Sequence, residues 1–242
     1  MRSLQTINNK NILIVVAHPD DETLWFFQST QVLKQNNRIQ IFCMTHAAVS
    51  KRGKELQSMA DAFGLKVLFG HCEDTGFNKY LKSKEVEQAF IKIFSRQKFD
   101  LVITHPPHGG EKPHPHHIQI YLEVKKFSKF HNFKFCFFSE QKLLGKFNQD
   151  SCYFFNYDNK KYISVRLIES FGLINKDQHR FLFLFSVLKD IWFNFDRYIG
   201  FETQVDLNEK QKALLKFSSQ EEVLKSYNAF YKKYEYLFIK TN

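Results

Sequence analysis

The chain has 242 residues, 43% hydrophobic and 25% charged, a balance that excludes disordered, collagen-like and coiled-coil chains and supplies enough apolar side chain for a real core. Lys plus Arg number 35 against 25 Asp plus Glu, and the resulting +10 favours anionic partners such as phosphorylated substrates, nucleic acid or lipid headgroups without choosing among them. The 28 Phe are spread along the chain instead of patterned, and read as the compositional bias of an A/T-rich genome.

In chain order, Ile12 to Val16, Ile39 to Met44, Lys66 to Phe69, Leu101 to Ile103 and Phe133 to Phe138 are short apolar runs, most without polar alternation, as buried parallel strands are. Between them Glu22 to Lys34, Lys51 to Phe63, Lys84 to Phe94 and Pro115 to Phe127 carry apolar residues at helical spacing. The alternation predicts an α/β fold, Rossmann-like, with a mostly parallel sheet and helices on both faces. From Lys142 the pattern changes: Tyr153 to Tyr157 and Tyr162 to Leu167 suggest a hairpin, followed by helical segments near Arg180 to Phe195 and Leu207 to Tyr236. No Pro- or Gly-rich linker or internal repeat divides the chain, so one domain is expected over 1–242, with a core of about 1–140 and an extension of about 141–242.

The four cysteines form no C-x-x-C pair, and Cys43, Cys72 and Cys136 sit in or beside apolar runs, as free buried thiols do; with Cys152 they point to a reducing compartment. Near the amino end the only apolar run is Ile12 to Val16, shorter than the ~7–15 residues of a signal core, and no run approaches the ~20 that cross a bilayer. A soluble, cytoplasmic protein is expected. Lys125, Lys126 and Lys129 read as a solvated helix face.

In doubly wound sheets ligands bind beyond the carboxyl ends of the strands. Two polar clusters fall there. Ala17-His18-Pro19-Asp20-Asp21-Glu22 follows the first strand, and a loop from Thr104 to His117, holding five of the ten histidines, follows the fourth. Alone, the first also reads as a turn and helix cap, and the second as an exposed polar loop. Together they supply the mixed nitrogen and oxygen donors that suit zinc or another divalent transition metal, with one position left for water. His46, His71 and His179 read as surface or satisfied core histidines, and His105 and His108 lie close enough in the loop to reach the site, with a structural role favoured over substrate contact.

Ala17 to Glu22 with His114-Pro115-His116-His117 resembles the LmbE/PIG-L family of zinc-dependent N-deacetylases, whose signatures are A-H-P-D-D-E and H-P-D-H. The similarity continues through Arg52, Glu55, Ala60 and Gly64, through Asp74, and through Lys212-Ala213-Leu214 with Ser219-Gln220. The resemblance implies metal ligands His18, Asp21 and His117, with Zn2+ expected and Fe2+ or another divalent ion open. It implies Asp20 as general base, His114 as an imidazolium supporting the tetrahedral intermediate, and Arg52 and Asp74 as contacts to an N-acetylated, N-acetylglucosamine-like sugar. That sugar could be free, a glycoside, nucleotide-linked or a glycolipid, and the basic charge leans toward a phosphate-bearing one.

Two departures stand out. His116 occupies the signature's Asp position, which bears on rate, and Trp25-Phe26-Phe27 replace the family's usual glycines, which should narrow the site's floor. The competing expectation is a catalytically inactive, metal-containing interaction module that binds anionic partners through its basic surface. No nucleic-acid motif is present and no nucleic-acid partner is expected, whereas peripheral membrane contact and oligomeric state stay open. Retention of Asp20, which holding a metal does not require, favours the enzyme.

Overall fold

The computed structural model describes residues 3–77, 79–106, 109–110, 114–139 and 198–240. Five strands, β1 (Asn11–Val16), β2 (Arg38–Thr45), β3 (Lys66–Cys72), β4 (Leu101–Thr104) and β5 (Lys134–Ser139), pair in parallel in the order β3-β2-β1-β4-β5. Helices α1 (Asp21–Lys34), α2 (Lys51–Ala62), α3 (Ser83–Arg96) and α4 (Pro115–Phe127) connect them. Each expected strand and helix of the first 140 residues is present within three residues of its expected ends.

Residues alternate along β1 between two cores. Ile12, Ile14 and Val16 face the side covered by α1 and α2, while Leu13 and Val15 face the side covered by α3 and α4. Both faces are therefore dry, which is why the strand reads as one apolar run. In α3 the stripe Val86, Ala89, Phe90, Ile93, Phe94 follows the helical period and is buried against that second core.

Beyond β5 the sheet continues with two antiparallel strands, giving β5-β7-β6, where β6 is Tyr198–Gln204 and β7 is Tyr234–Lys240. The expected helix over Leu207 to Tyr236 is corrected here. It is helical only over α5 (Leu207–Leu214) and α6 (Glu221–Lys225), with short 3-10 turns around α6, and its last residues are strand. This strand takes its pairing from β5 and β6 and is buried on both faces, Tyr236 and Phe238 in one core and Leu237 in the other, so tertiary contact decides its state. The expected hairpin over Tyr153 to Leu167 and helix over Arg180 to Phe195, with Cys152 and His179, lie outside the described residues.

The α5–α6 region packs on α1, whose residues Leu24 to Phe27 are buried on nearly all sides. Phe26 leaves helical geometry at φ −145°, and the N–H groups of Gln28 and Ser29 beyond this break donate to the buried Glu235 carboxylate. Lys210, also buried, completes the pair at 3.2 Å. Cys43, Cys72 and Cys136 are free and buried, as expected, and among the described residues no helix is long and apolar enough to cross a membrane. Lys126 pairs with Glu87 and Glu123 on the solvated face.

Candidate metal centre and active site

The chain leaves β1 outward toward β2 and β3, then returns to place β4 on the other side of β1, so the crevice between β1 and β4 is the switch point of the sheet. The turn after β1 and the loop after β4 meet there. They border a cavity of about 180 Å3 whose walls include His18, Asp20, Asp21, Arg52, Asp74, His114 and His117. All seven expected site residues are thus brought together.

Asp20 does not act as the side-chain cap that a plain turn would use. Its backbone sits at φ +124°, a region that non-glycine residues occupy only under constraint, and its Oδ2 accepts from Arg52 Nη2 at 2.9 Å. Burial drives the Asp20 carboxyl well above its ordinary value, with Asp21 and Glu22 adding to the rise and Arg52 opposing it. Asp21 is turned the other way. Its Oδ2 accepts from the His18 N–H at 2.7 Å, and although burial opposes ionisation, the imidazoles of His117, His105 and His18 outweigh it and hold the carboxyl well below the usual range.

Several nitrogens crowd this corner, and overlapping groups of potential ligand atoms lie within 4.8 Å: His18, His114 and His117; His18, Asp74 and His116; Asp21, His105 and His117. Backbone hydrogen bonds sort them. His105 Nε2 accepts from the Ala17 N–H at 2.9 Å, and His114 Nδ1 accepts from the His116 N–H at 3.2 Å, so those lone pairs are spent. His117 Nδ1 lies 2.8 Å from the Gly109 carbonyl and must donate to it, which leaves His117 Nε2 as a bare lone pair. Gly109 is at φ +83°, and a Cβ there would come within 2.9 Å of the His114 nitrogen and of Ile118, so glycine is what lets its carbonyl reach the ring.

His117 Nε2 stands 3.2 Å from His18 Nδ1 and 3.3 Å from Asp21 Oδ1, and His18 Nδ1 stands 3.4 Å from Asp21 Oδ2. Tetrahedral zinc with bonds of about 2.0–2.1 Å sets ligand-to-ligand edges of roughly 3.3 Å. The three groups expected as ligands stand pairwise at such edges, Asp21 presenting Oδ1 to His117 and Oδ2 to His18, and the carbonyl on His117 Nδ1 is the arrangement metal-binding imidazoles use. This donor set fits a divalent transition metal.

His105 is fully buried and stacks on His117, centroids 3.9 Å apart and nearly coplanar, so it sits behind that ring. His108 lies outside the described residues. The expected imidazolium at His114 is corrected. Burial first, then the neighbouring imidazoles, push its pKa far down, and with Nδ1 accepting, the neutral ring carries its proton on Nε2. Of Trp25-Phe26-Phe27, only Trp25 borders the cavity, edge-on to Tyr227; Phe26 stacks on Phe138 and Phe27 meets Phe63 in the core.

Arg52 sits in the first turn of α2, where Ser50 caps the helix, and besides Asp20 it donates to the Pro19 carbonyl at 3.2 Å. Its Nη1 lies 3.8 Å from Asp74 Oδ2. Asp74 is held well below its ordinary pKa chiefly by His46, 3.4 Å away. His46 is thus a rim residue that the sequence reading placed among bland histidines; its φ of +62° was not legible in the pattern. Thr75, beside His116, was missed too. The Glu55 and Ser219-Gln220 landmarks meet: the Glu55 carboxylate accepts from Ser218 and Ser219 and docks Gln220 at the cavity wall. Phe77 and Val223, each about half exposed, form an apolar rim.

Comparisons with known proteins agree with this geometry. Residues 13–128 match the PIG-L family model, described as GlcNAc-PI de-N-acetylase. An N-acetylglucosaminyl-phosphatidylinositol de-N-acetylase of Arthroderma benhamiae is 23% identical over 109 residues, which is 44% of this chain and 31% of that protein, so the match spans about a third of the relative. Among solved structures, a deacetylase of the teicoplanin biosynthesis pathway superposes with TM-score 0.58 at 13% identity, covering 95% of this chain and 97% of the other. The zinc-inhibited form of a teicoplanin deacetylase gives 0.59 at 13% identity over 95% and 97%. At such identity these structures share the fold. With the signature residues gathered at its switch point, the chain resembles the PIG-L (LmbE-like) family over the residues 13–128 that match its model.

Proposed function

We propose that the protein is a metal-dependent N-deacetylase, with zinc the favoured ion, that removes acetyl from an N-acetylglucosamine-like group of a sugar, glycoside, nucleotide sugar or glycolipid. The observation that carries this is the convergence of His18 Nδ1, His117 Nε2 and the Asp21 carboxylate at 3.2–3.4 Å beside a second, strained carboxylate, Asp20. The matching family, described as GlcNAc-PI de-N-acetylase, supports the reaction class.

A divalent metal held by His18, Asp21 and His117 would supply a Lewis acid that acidifies a water and polarises the acyl carbonyl. Asp20 takes the proton of that attacking water. Its Oδ2 is occupied by Arg52, so Oδ1 is the oxygen that accepts, and its burial-raised pKa makes it a stronger base than an exposed carboxylate. His114 supports the developing oxyanion as a neutral Nε2–H donor. As the C–N bond breaks, Asp20 returns its proton to the leaving nitrogen, giving acetate and a free amine. Arg52 thereby positions the base, and with Asp74 it lines the wall that a sugar would meet. The inactive-module reading gives Asp20, its strained backbone and its Arg52 clamp nothing to do.

The test is an amine-release screen of zinc-loaded protein against N-acetylated sugars that differ in the attached group, with and without phosphate. Release that disappears in Asp20→Asn supports the proposal. Full metal retention in His18→Ala, Asp21→Ala and His117→Ala, or no release from any acetamido sugar, overturns it.

A further inference from the structure

The second ring nitrogen of His18 opens onto a chain of groups that no role above uses. His18 Nε2 lies 2.9 Å from His116 Nδ1, His116 Nε2 lies 2.9 Å from Thr75 Oγ1, and Thr75 Oγ1 lies 3.1 Å from the Tyr80 carbonyl. The direction of every proton follows from the far end. A carbonyl only accepts, so the Thr75 hydroxyl spends its one proton on Tyr80, and Thr75 Oγ1 can only accept from His116. His116 is then protonated on Nε2 and bare on Nδ1. His18 must in turn donate from Nε2, which leaves Nδ1 as the lone pair that faces Asp21 and His117.

We infer that His116 and Thr75 are positioning residues that lock His18 in its metal-binding tautomer through a neutral relay, in the place where the H-P-D-H signature has a carboxylate. The inference rests on the reading of His18 as a ligand. Other candidates for this task are engaged elsewhere. Asp74 Oδ1 is 3.9 Å from His116 Nδ1, too far for a hydrogen bond, and it accepts from the Gly76 N–H at 3.0 Å.

The relay is anchored to the helix it serves. Gln119 of α4 accepts from the Leu81 N–H at 2.8 Å and donates to the Leu81 carbonyl at 3.1 Å, one residue beyond Tyr80. The segment carrying Thr75 and Tyr80 is thus registered on the same α4 that carries His116 and His117. His116 is fully buried, so no water competes for its ring nitrogens.

The relay also sets charge. Against a divalent ion, Asp21 is the only carboxylate among the three proposed ligands, and the group behind His18 adds none. A carboxylate there would make His18 a more basic ligand. His116→Asp should therefore bind zinc more tightly than wild type. Thr75→Val removes the acceptor that the described residues offer His116 Nε2–H and frees the ring to reverse its tautomer, and should weaken zinc binding by about 10–100-fold, the usual cost of losing an outer partner. Thr75→Ser keeps the hydroxyl and should restore affinity, a rescue that mere packing would not predict.

The experiment is chelator competition for zinc on wild type, Thr75→Val, Thr75→Ser, His116→Asp and His18→Ala, combined with ring 15N spectra of the metal-free protein. Expected are weakening in Thr75→Val, rescue in Thr75→Ser, and an Nε2–H tautomer at His18 in metal-free wild type. Wild-type zinc affinity in Thr75→Val while His18→Ala loses the ion overturns the relay and leaves the metal site standing. Equal zinc binding by wild type and His18→Ala overturns the metal site itself, and the 15N spectra then judge the relay alone: an Nδ1–H tautomer at His18 would refute it without any variant having to fold.

Discussion

The turn after β1 and the loop after β4 deliver their donors to the same point, yet they are held by different means. The turn supplies charge under backbone constraint: Asp20 at φ +124°, buried against Arg52, with Asp21 tied to the His18 N–H. The loop supplies imidazoles whose ring nitrogens are oriented by backbone groups, Gly109 for His117 and the His116 N–H for His114. Two carboxylates adjacent in sequence acquire opposite tendencies this way, one raised by burial and one held down by the imidazoles around it. The lesson is that the loop tunes the turn in part: of the three imidazoles facing Asp21, His105 and His117 come from the loop and His18 from the turn itself.

The largest expected break of that division is Asp21→Asn. It keeps the acceptor for His18 N–H but withdraws the charge, and should lose bound metal and deacetylation together. Ligand binding stabilises a fold by roughly 2.7 kcal/mol at a hundredfold excess over Kd, so the zinc-dependent rise in Tm expected of wild type should vanish in this variant. Next is Asp20→Asn, which keeps shape and metal and removes the base; kcat should fall by about 10²–10⁴-fold with metal content unchanged by elemental analysis. If Asp20→Asn loses the metal while Asp21→Asn retains it, the two roles are reversed.

Much of this was legible in the sequence, and what was not has identifiable causes. Strands β1 to β5 are short apolar runs bounded by helical spacing, so local pattern sufficed. The start of β7, Tyr234 to Tyr236, fell within an expected helical segment because this strand has no pairing of its own until β5 and β6 flank it. At the site, His18, Asp21 and His117 came from motif and strand-end placement. His46 and Thr75 did not, since one depends on a left-handed backbone and the other on a loop brought to α4 by Gln119. The commitment of His105 to the Ala17 N–H is a tertiary fact that no local pattern shows. The aromatic triplet misled in part, since the break at Phe26 directs Phe26 and Phe27 into the core.

On the loop side, Gly109→Ala should shift the carbonyl that orients His117, because an added Cβ meets the His114 nitrogen and Ile118 at 2.9 Å. Zinc affinity should fall by about 10–100-fold, read by chelator competition, while Asp20 chemistry per bound metal stays intact. On the turn side a smaller effect is expected from Arg52→Met. It removes the cation that opposes the rise of Asp20, so the Asp20 pKa climbs further and the acid limb of the kcat/KM profile should move to higher pH. A limb that stays in place, or moves to lower pH, would show that Asp20 is not the group whose titration the profile reports.

The smallest effect expected is one of slope, and it sets the two regions against each other in the metal-free protein. On the turn, Glu22 is pushed up to about 7 by burial from its ordinary 4.5. Between those values the folded state holds a proton that the unfolded chain does not, so this group adds stability as pH falls through about 7 and loses it as pH rises. On the loop, His116 is pushed down to about 4 from 6.5, chiefly by burial. Between those values the unfolded chain holds the extra proton, so this group's contribution is present above about 6.5 and is lost as pH falls toward 4. Over pH 5–6.5 the two slopes oppose, and each full proton difference is worth at most about 1.4 kcal/mol per pH unit. Urea unfolding at several pH values should therefore show that Glu22→Gln, which deletes the turn's term, makes acid more destabilising than it is to wild type. His116→Asn should do the reverse and flatten the loss. Were Glu22→Gln to leave the pH slope unchanged, Glu22 would be ionised in the folded state throughout, and burial on the turn would not be what separates these carboxyls from those held by the loop.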